Sequence, residues 1–240
     1  MYQKKKIALY TVITGNYESH IRYSYPLKLM PCLDAAFIVT DSIDMKNEAE
    51  QKGWNSILID KPDNSKKCQR QLKILQNFHE DLKILNEYDV IIYHDGNNVL
   101  RNNTLLMKSL SLINKYDVIC YSHPIRKTSK SELDVVLSSG MISKSAWENV
   151  NQIYKLSNYP DNLGLSDTRV LIRKTCDKLK EFCEEWINNM NATNSYRDQT
   201  IFEYALWKHN VSFKRMKNKE FPFVCKGGHS DPNNMRYNID

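Results

Sequence analysis

The chain has 240 residues, 41% hydrophobic and 26% charged, with 7 Gly and 7 Pro; this fits one α/β domain with a sizeable core and excludes collagen-like, low-complexity and wholly disordered classes. Lys and Arg number 34 against 28 Asp and Glu, a net charge of +6 that favours anionic partners without naming one. No apolar run approaches the roughly 18–20 residues of a membrane span, no cleavable leader opens the chain, and six cysteines form no C-x-x-C pair, so a cytoplasmic protein without a zinc or disulfide framework is expected.

In chain order, residues 7–14, 35–40, 56–59, 90–93 and 118–121 are short runs rich in Val, Ile and Tyr that end on polar or turn residues, the pattern of strands in a mostly parallel, covered sheet. Leu72, Leu75, Phe78, Leu82 and Leu85 recur at helical spacing, as do Leu105, Leu106, Leu110 and Ile113. The clearest helix carries Leu179, Phe182, Cys183, Trp186, Ile187 and Met190 on one face, which reads as core. A further helix starts near Ser195, and residues 211–215 suit another strand. No repeat or linker divides the sequence. One domain over 1–240 is expected, an α/β unit with helices flanking the sheet, and its tail from Phe221 should be an irregular loop or flap.

The chemistry-bearing residues cluster at the ends of these elements. Val90 to Tyr93 runs into His94-Asp95-Gly96-Asn97, and ligands of open α/β sheets sit beyond strand C-termini. Asp95 and Asn97 offer hard oxygens to Mg²⁺ or Mn²⁺, although an Asp-Gly-Asn turn would give the same string. Asn64 or Ser65 suits a helix N-cap, followed by Lys66, Lys67 and Arg70, cations that oppose the helix dipole unless an anion is bound there. Arg70 and Lys73, one turn apart, could meet one diphosphate; a solvated basic face is the bland alternative. Ser195 and Asp198 have the spacing of a capping box, while Asp198 or Gln199 could instead face a site at the helix mouth. His123, Arg126 and Glu132 form a looser polar set after the strand at 118–121.

Taken in order, Tyr10-Thr11-Val12-Ile13-Thr14-Gly15-Asn16-Tyr17, Val39-Thr40-Asp41, Arg70-x-x-Lys73, His94-Asp95-Gly96-Asn97, His123-Pro124-x-Arg126, Leu163-Gly164-Leu165 with Arg173, and Arg197-Asp198-Gln199 resemble a glycosyltransferase-like family, domain of unknown function 616, over about residues 7–208. Its specificity lies in the ordered set. The resemblance implies a GT-A fold and a nucleotide-sugar donor, UDP- or GDP-linked, in a layout similar to glycogenin and galactosyltransferase-like enzymes. By that resemblance Thr11, Thr14, Asn16 and Tyr17 form the first-strand exit under the nucleotide, Asp41 meets base or ribose, and Arg70 and Lys73 meet the diphosphate. His123 and Arg126 join the donor contacts. Asp95 and Asn97 stand where the family carries its metal-binding pair, with Asn97 in place of the usual second carboxylate, and His229 is similar to a C-terminal histidine that completes the metal shell. Asp198 or Gln199 stands near the anomeric carbon or the acceptor hydroxyl, Asp198 as general base in an inverting reaction, with Gln199 or the leaving phosphate serving a retaining one.

The leading expectation is therefore a metal-dependent glycosyltransferase using Mn²⁺ or Mg²⁺, with a glycan acceptor in polysaccharide or glycan synthesis and no nucleic-acid partner. Two rivals remain: a basic nucleic-acid-binding domain, which lacks any RRM, KH, zinc-finger or helix-turn-helix signature, and a lipid-amide hydrolase, which lacks both G-x-S-x-G and H-E-x-x-H.

Overall fold

The computed structural model describes residues 5–15, 18–21, 32–195 and 197–225. Its frame is a seven-stranded sheet in the order β3-β2-β1-β4-β7-β6-β8. The expected strands are β1 (Ile7–Ile13), β2 (Ala35–Thr40), β3 (Asn55–Leu58), β4 (Val90–His94), β6 (Val118–Ser122) and β8 (Phe213–Met216). All lie parallel; β7 (Ser166–Lys174), absent from the sequence reading, runs antiparallel between β4 and β6. Its Ser-Asp-Thr-Arg start and Arg-Lys end hide the apolar Val170, Leu171 and Ile172, each fully buried.

Helices cover both faces. On one, α2 (Ser65–Leu75), α4 (Ser129–Ser138), α5 (Lys144–Leu156), α6 (Lys178–Ala192) and α7 (Gln199–Lys208) pack on Tyr10, Tyr93 and Leu171, with Trp186 of α6 fully buried among them. On the other, α1 (Ile43–Gln51) and α3 (Asn103–Ser111) supply Met45, Ala49, Leu106 and Leu110 against Ile38, Ile92 and Ile172. The apolar stripe read on α6 is core, as its 3.6-residue period requires. No described helix is long and apolar enough to cross a membrane.

Three expectations give way here. The helical pattern from Leu72 to Leu85 is not one helix: α2 stops at Leu75, Gln76 takes φ 52°, and two 3₁₀ segments, Gln76–Phe78 and Glu80–Glu87, follow. The tail does not turn irregular at Phe221, because β9 (Phe223–Cys225) pairs antiparallel with β5 (Asn98–Leu100). The capping box is absent: Asp198 sits at the N-cap of α7 with helical dihedrals and makes no side-chain cap, and Ser195 Oγ is buried without a hydrogen-bond partner among the described residues. Asn64 does cap α2, its side chain accepting from Lys67 N at 2.9 Å.

Candidate active site

The C-terminal edge of β4 meets the polar start of β7, the last turn of α2 and the first residue before α7. The pairing of β6 with β7 shifts register between Ile119 and Tyr121, and Thr168, near the start of β7, meets Lys73 of α2 and Asp198 before α7. Asp95 is held there by its backbone N–H, which donates to the Arg169 carbonyl at 2.9 Å. The start of α7 is fixed by Trp186, whose Nε1 donates to the Asp198 carbonyl at 2.9 Å.

Three polar side chains converge on Lys73, which is 1% exposed. Its Nζ lies 2.5 Å from Asp198 Oδ2 and 3.5 Å from Asp95 Oδ1, and it donates to Thr168 Oγ1 at 3.4 Å. Thr168 Oγ1 in turn donates to Asp198 Oδ2 at 2.9 Å, and Tyr93 OH donates to Asp95 Oδ1 at 2.8 Å. Arg70 approaches the other oxygen of Asp198, with Nε at 4.0 Å from Oδ1. Burial pushes the Asp198 carboxyl up, but Lys73, Arg70 and Arg197 outweigh it and hold the group well below the usual carboxylate range. Burial, together with the neighbouring Asp95 charge, drives the Tyr93 phenol well above its ordinary value.

Lys73 is not at a helix start, as the sequence spacing suggested, but in the last turn of α2, where the dipole favours a cation. Arg173 of β7, fully buried, secures that turn: Nη2 donates to the Lys73 carbonyl at 2.5 Å and Nη1 to the Ile74 carbonyl at 2.7 Å. Tyr10 OH adds contacts of 3.1 Å to the carbonyls of Leu72 and Lys73. Arg70, by contrast, keeps part of its side chain at the surface, so it reaches the crevice while Lys73 stays beneath it. Asp198 is only 4% exposed and ion-paired, so a general-base role fits poorly: its proton affinity is low and its oxygens face Lys73 and Thr168. Gln199 Nε2 donates to the Ser166 carbonyl at 3.3 Å.

At the neighbouring corner Asp41, past the end of β2, accepts from Gly15 N through both carboxylate oxygens at 3.0 Å. Gly15 has φ +64°, and an added Cβ would come 2.2 Å from Ser65 Oγ, so the β1 exit presses directly on the N-terminus of α2. Thr14 Oγ1 donates to the Ser65 carbonyl at 3.3 Å. Thr11, expected in the exit loop, lies inside β1 and is buried, its hydroxyl unpartnered among the described residues. Asn16, Tyr17 and His229 lie outside the described residues.

A second polar cluster borders the first. Glu132 of α4, fully buried, pairs with Arg126 Nε and lies 3.8 Å from Arg197 Nη2. His123 Nδ1 accepts from the backbone N–H groups of Ile125 and Arg126 at 3.2 and 2.9 Å, which folds the loop after β6. Burial lowers the His123 pKa and Arg126 adds to it. Arg169 grips Asp167 through Nε at 2.9 Å and Nη2 at 2.5 Å, and its guanidinium lies 5.3 Å from the Phe221 ring centre. Sequence reading missed Thr168, Asp167 and Arg169 because their strand was missed; a Ser-Asp-Thr-Arg run opening an apolar triplet was the available signal.

The metal expectation can be tested on the donors themselves. Asp95 uses Oδ1 for Tyr93 and Lys73, and Oδ2 carries no protein partner among the described residues. Asn97 is buried, with Oδ1 accepting from Asn98 Nδ2 at 3.0 Å. Among the described residues no group of three His, Cys, Asp or Glu side chains forms a cation cage. Two hard oxygens fit an octahedral ion that takes its remaining ligands from phosphate and water, the habit of Mg²⁺ at diphosphate sites.

No protein-family model matches the chain, and no curated protein matches its sequence. Solved structures do resemble it in fold. Core-mannan synthase A from Aspergillus fumigatus, in its Mn/GDP form, aligns over 97% of this chain and 78% of its own with a TM-score of 0.53 at 8% identity. The fold is GT-A-like. Weaker likenesses include 4-diphosphocytidyl-2C-methyl-D-erythritol synthase from Anaerococcus prevotii, with TM-score 0.49, 12% identity and 93% and 94% of the two chains covered. Glucosyl-3-phosphoglycerate synthase from Mycobacterium tuberculosis aligns at TM-score 0.48, 7% identity, 93% of this chain and 71% of its own. At 8% identity the likeness to the mannan synthase is one of fold.

Proposed function

We propose that this protein is a glycosyltransferase that moves a sugar from a nucleoside-diphosphate donor to a hydroxyl acceptor. The observation that carries this reading is the convergence of Arg70, Lys73, Asp95, Thr168 and Asp198 at the C-terminal edge of a GT-A-like sheet, the crevice such folds use for ligands. In the reaction the anomeric carbon–oxygen bond breaks with its electron pair passing to the diphosphate. The acceptor oxygen bonds to that carbon, and its proton leaves to the diphosphate or to solvent.

Arg70 supplies a fork of donors to the diphosphate from the wall of the crevice. Lys73 does not touch the donor; it and Asp198 lock each other, fix Asp95 and keep Arg70 aimed outward. Asp41 and the β1 exit at Thr14 and Gly15 form the floor for the nucleoside. Asp95 and Asn97 would hold a divalent ion, which supplies charge neutralisation at the leaving diphosphate. Asp198, well packed and short of proton affinity, serves as a positioning residue.

A nucleotide-sugar panel, read for release of nucleoside diphosphate with and without Mn²⁺, tests the proposal. Release from one donor that depends on a hydroxyl acceptor supports it. No release from any donor, together with no binding of UDP or GDP, overturns it.

A further inference from the structure

Beside the network around Asp198, three further arginines gather about two buried carboxylates. Arg126 comes from the loop after β6, Arg197 from the segment before α7, and Arg169 from β7. Their carboxylate partners are more deeply placed than they are. Glu132 has a fully buried side chain and Asp167 one that is 2% exposed, whereas Arg126, Arg197 and Arg169 side chains are 17%, 25% and 36% exposed. Each carboxylate is thus deeper than the guanidinium it fixes, Arg126 Nη2 also lies 3.1 Å from His123 Nε2, and Arg197 Nε is buried without a hydrogen-bond partner among the described residues. Glu132 serves two arginines, so that group keeps a net positive charge.

These residues share one neighbourhood. The half-buried His123 imidazole feels Arg126, Glu132, Asp167 and Arg169 together, and Arg197 reaches both Glu132 and the field around Asp198. The contact of Arg197 with Glu132 is loose at 3.8 Å, so a ligand can draw that guanidinium without breaking a tight pair. An uncharged sugar acceptor gains little from such a surface, and an anion gains charge-assisted hydrogen bonds.

We infer that the acceptor is anionic: a hydroxylated molecule carrying a phosphate or carboxylate that Arg126 and Arg197 bind, with Arg169 nearby. The inference rests on the glycosyltransferase reading for the word acceptor, but the anion site has its own readout. Arg126, expected among donor contacts, is thereby placed on the acceptor side.

Calorimetric titration of the full chain at fixed ionic strength compares glycerol 3-phosphate and glucuronate with glycerol and glucose, with UDP and GDP binding measured on the same preparations. One of the two anions should bind better than its neutral counterpart, and which one distinguishes phosphate from carboxylate. The triple variant Arg126→Gln, Glu132→Gln, Arg197→Gln removes the buried carboxylate with its partners and should weaken that anion by about tenfold while leaving the nucleotide affinity of the parent protein unchanged. Glu132→Gln alone leaves both arginines and should tighten the anion by about threefold, an effect that a purely structural role for Glu132 does not produce. The inference fails if neither anion outcompetes its neutral counterpart, if Glu132→Gln binds the anion no better than the parent does, or if Arg70→Gln abolishes anion binding that the triple variant keeps. Failure of nucleotide binding with anion binding intact would overturn the glycosyltransferase reading and leave the anion site standing.

Discussion

Lys73→Met is the most informative perturbation of the buried network. The change removes the closest cation of Asp198, at 2.5 Å, and also the cation 3.5 Å from Asp95, while Met keeps much of the lysine's apolar stem. Asp198 then keeps only Arg70 at 4.0 Å and the more distant Arg197, which places a carboxylate in a buried setting with weak compensation. Breaking a buried pair from one side costs about 3–5 kcal/mol, and for a chain of this size that lowers Tm by roughly 10 °C. Asp198→Asn should cost less, about 2–3 kcal/mol, because Lys73 still has Asp95 and the amide oxygen still accepts from Thr168. If the pair acts as a unit, the double variant costs about as much as Lys73→Met alone, a coupling of about 2 kcal/mol or more. Chemical denaturation of the four proteins measures this, and additivity within about 0.5 kcal/mol would refute the pairing. The pH dependence gives a second check with a definite sign. In the parent the depressed Asp198 pKa supplies stability that is present above the ordinary carboxylate value and lost as pH falls through the depressed one. In Lys73→Met, burial raises that pKa, so acid relieves the variant while the parent, whose loss lies at lower pH, changes little, and the gap between them must narrow from pH 7 to pH 4.

Arg70→Ala should weaken nucleoside diphosphate binding by about 1.5–3 kcal/mol, because its guanidinium is the partly exposed cation beside Asp198; unchanged binding would remove it from the donor site. Arg173→Met should lower stability by about 2–4 kcal/mol, since two carbonyls at the end of α2 lose a buried donor, and Arg173→Lys should recover only part of that because one ammonium cannot reproduce the fork. His94 is fully buried between Trp54 and Phe223, and burial lowers its pKa to about 4. The unfolded chain takes up that proton first, so about 3 kcal/mol of stability should be lost as pH falls from about 6.5 to about 4, and His94→Gln should flatten the loss in urea titrations.

How much was legible follows from what kind of signal each element carries. The parallel strands were legible because they are buried on both faces and read as unbroken Val, Ile and Tyr runs. The α6 stripe was legible because its period is strong. β7 was not, because an antiparallel strand that begins at the crevice carries polar residues there and ends on a buried arginine at Arg173. The break at Gln76 was hidden because its cause is tertiary: Arg173 and Tyr10 take the carbonyls that a longer helix would use. In the site, Arg70, Lys73, Asp95 and Asp198 were each chosen from sequence, and folding brings them together. Their depth was not readable. Spacing along α2 placed Lys73 beside Arg70, yet only the packing of β7 and α7 distinguishes the buried cation from the exposed one.

The ion pairs of the crevice also divide by length, and the division has a functional sense. Lys73 with Asp198, Arg169 with Asp167 and Arg215 with Glu203 all meet at 2.5 Å, and all three carboxylates are buried. Such pairs repay desolvation only when closely hydrogen-bonded, as Arg215 is to Ser166 Oγ at 3.0 Å and to the Leu163 carbonyl at 2.6 Å. They are scaffold, and pulling a cation out of one would strand a buried charge. Arg70 and Arg197 are different: each lies well over an ångström further from its carboxylate, at 4.0 and 3.8 Å, and each keeps part of its side chain at the surface. When either guanidinium turns to a ligand, the carboxylate it leaves retains a nearer cation, Lys73 for Asp198 and Arg126 for Glu132. The two loose arginines approach Asp198 from different elements, one on α2 and one before α7. A donor diphosphate on the first and an anionic acceptor on the second would bring two negatively charged substrates to one edge of the sheet, with the tight pairs holding the cations that receive them.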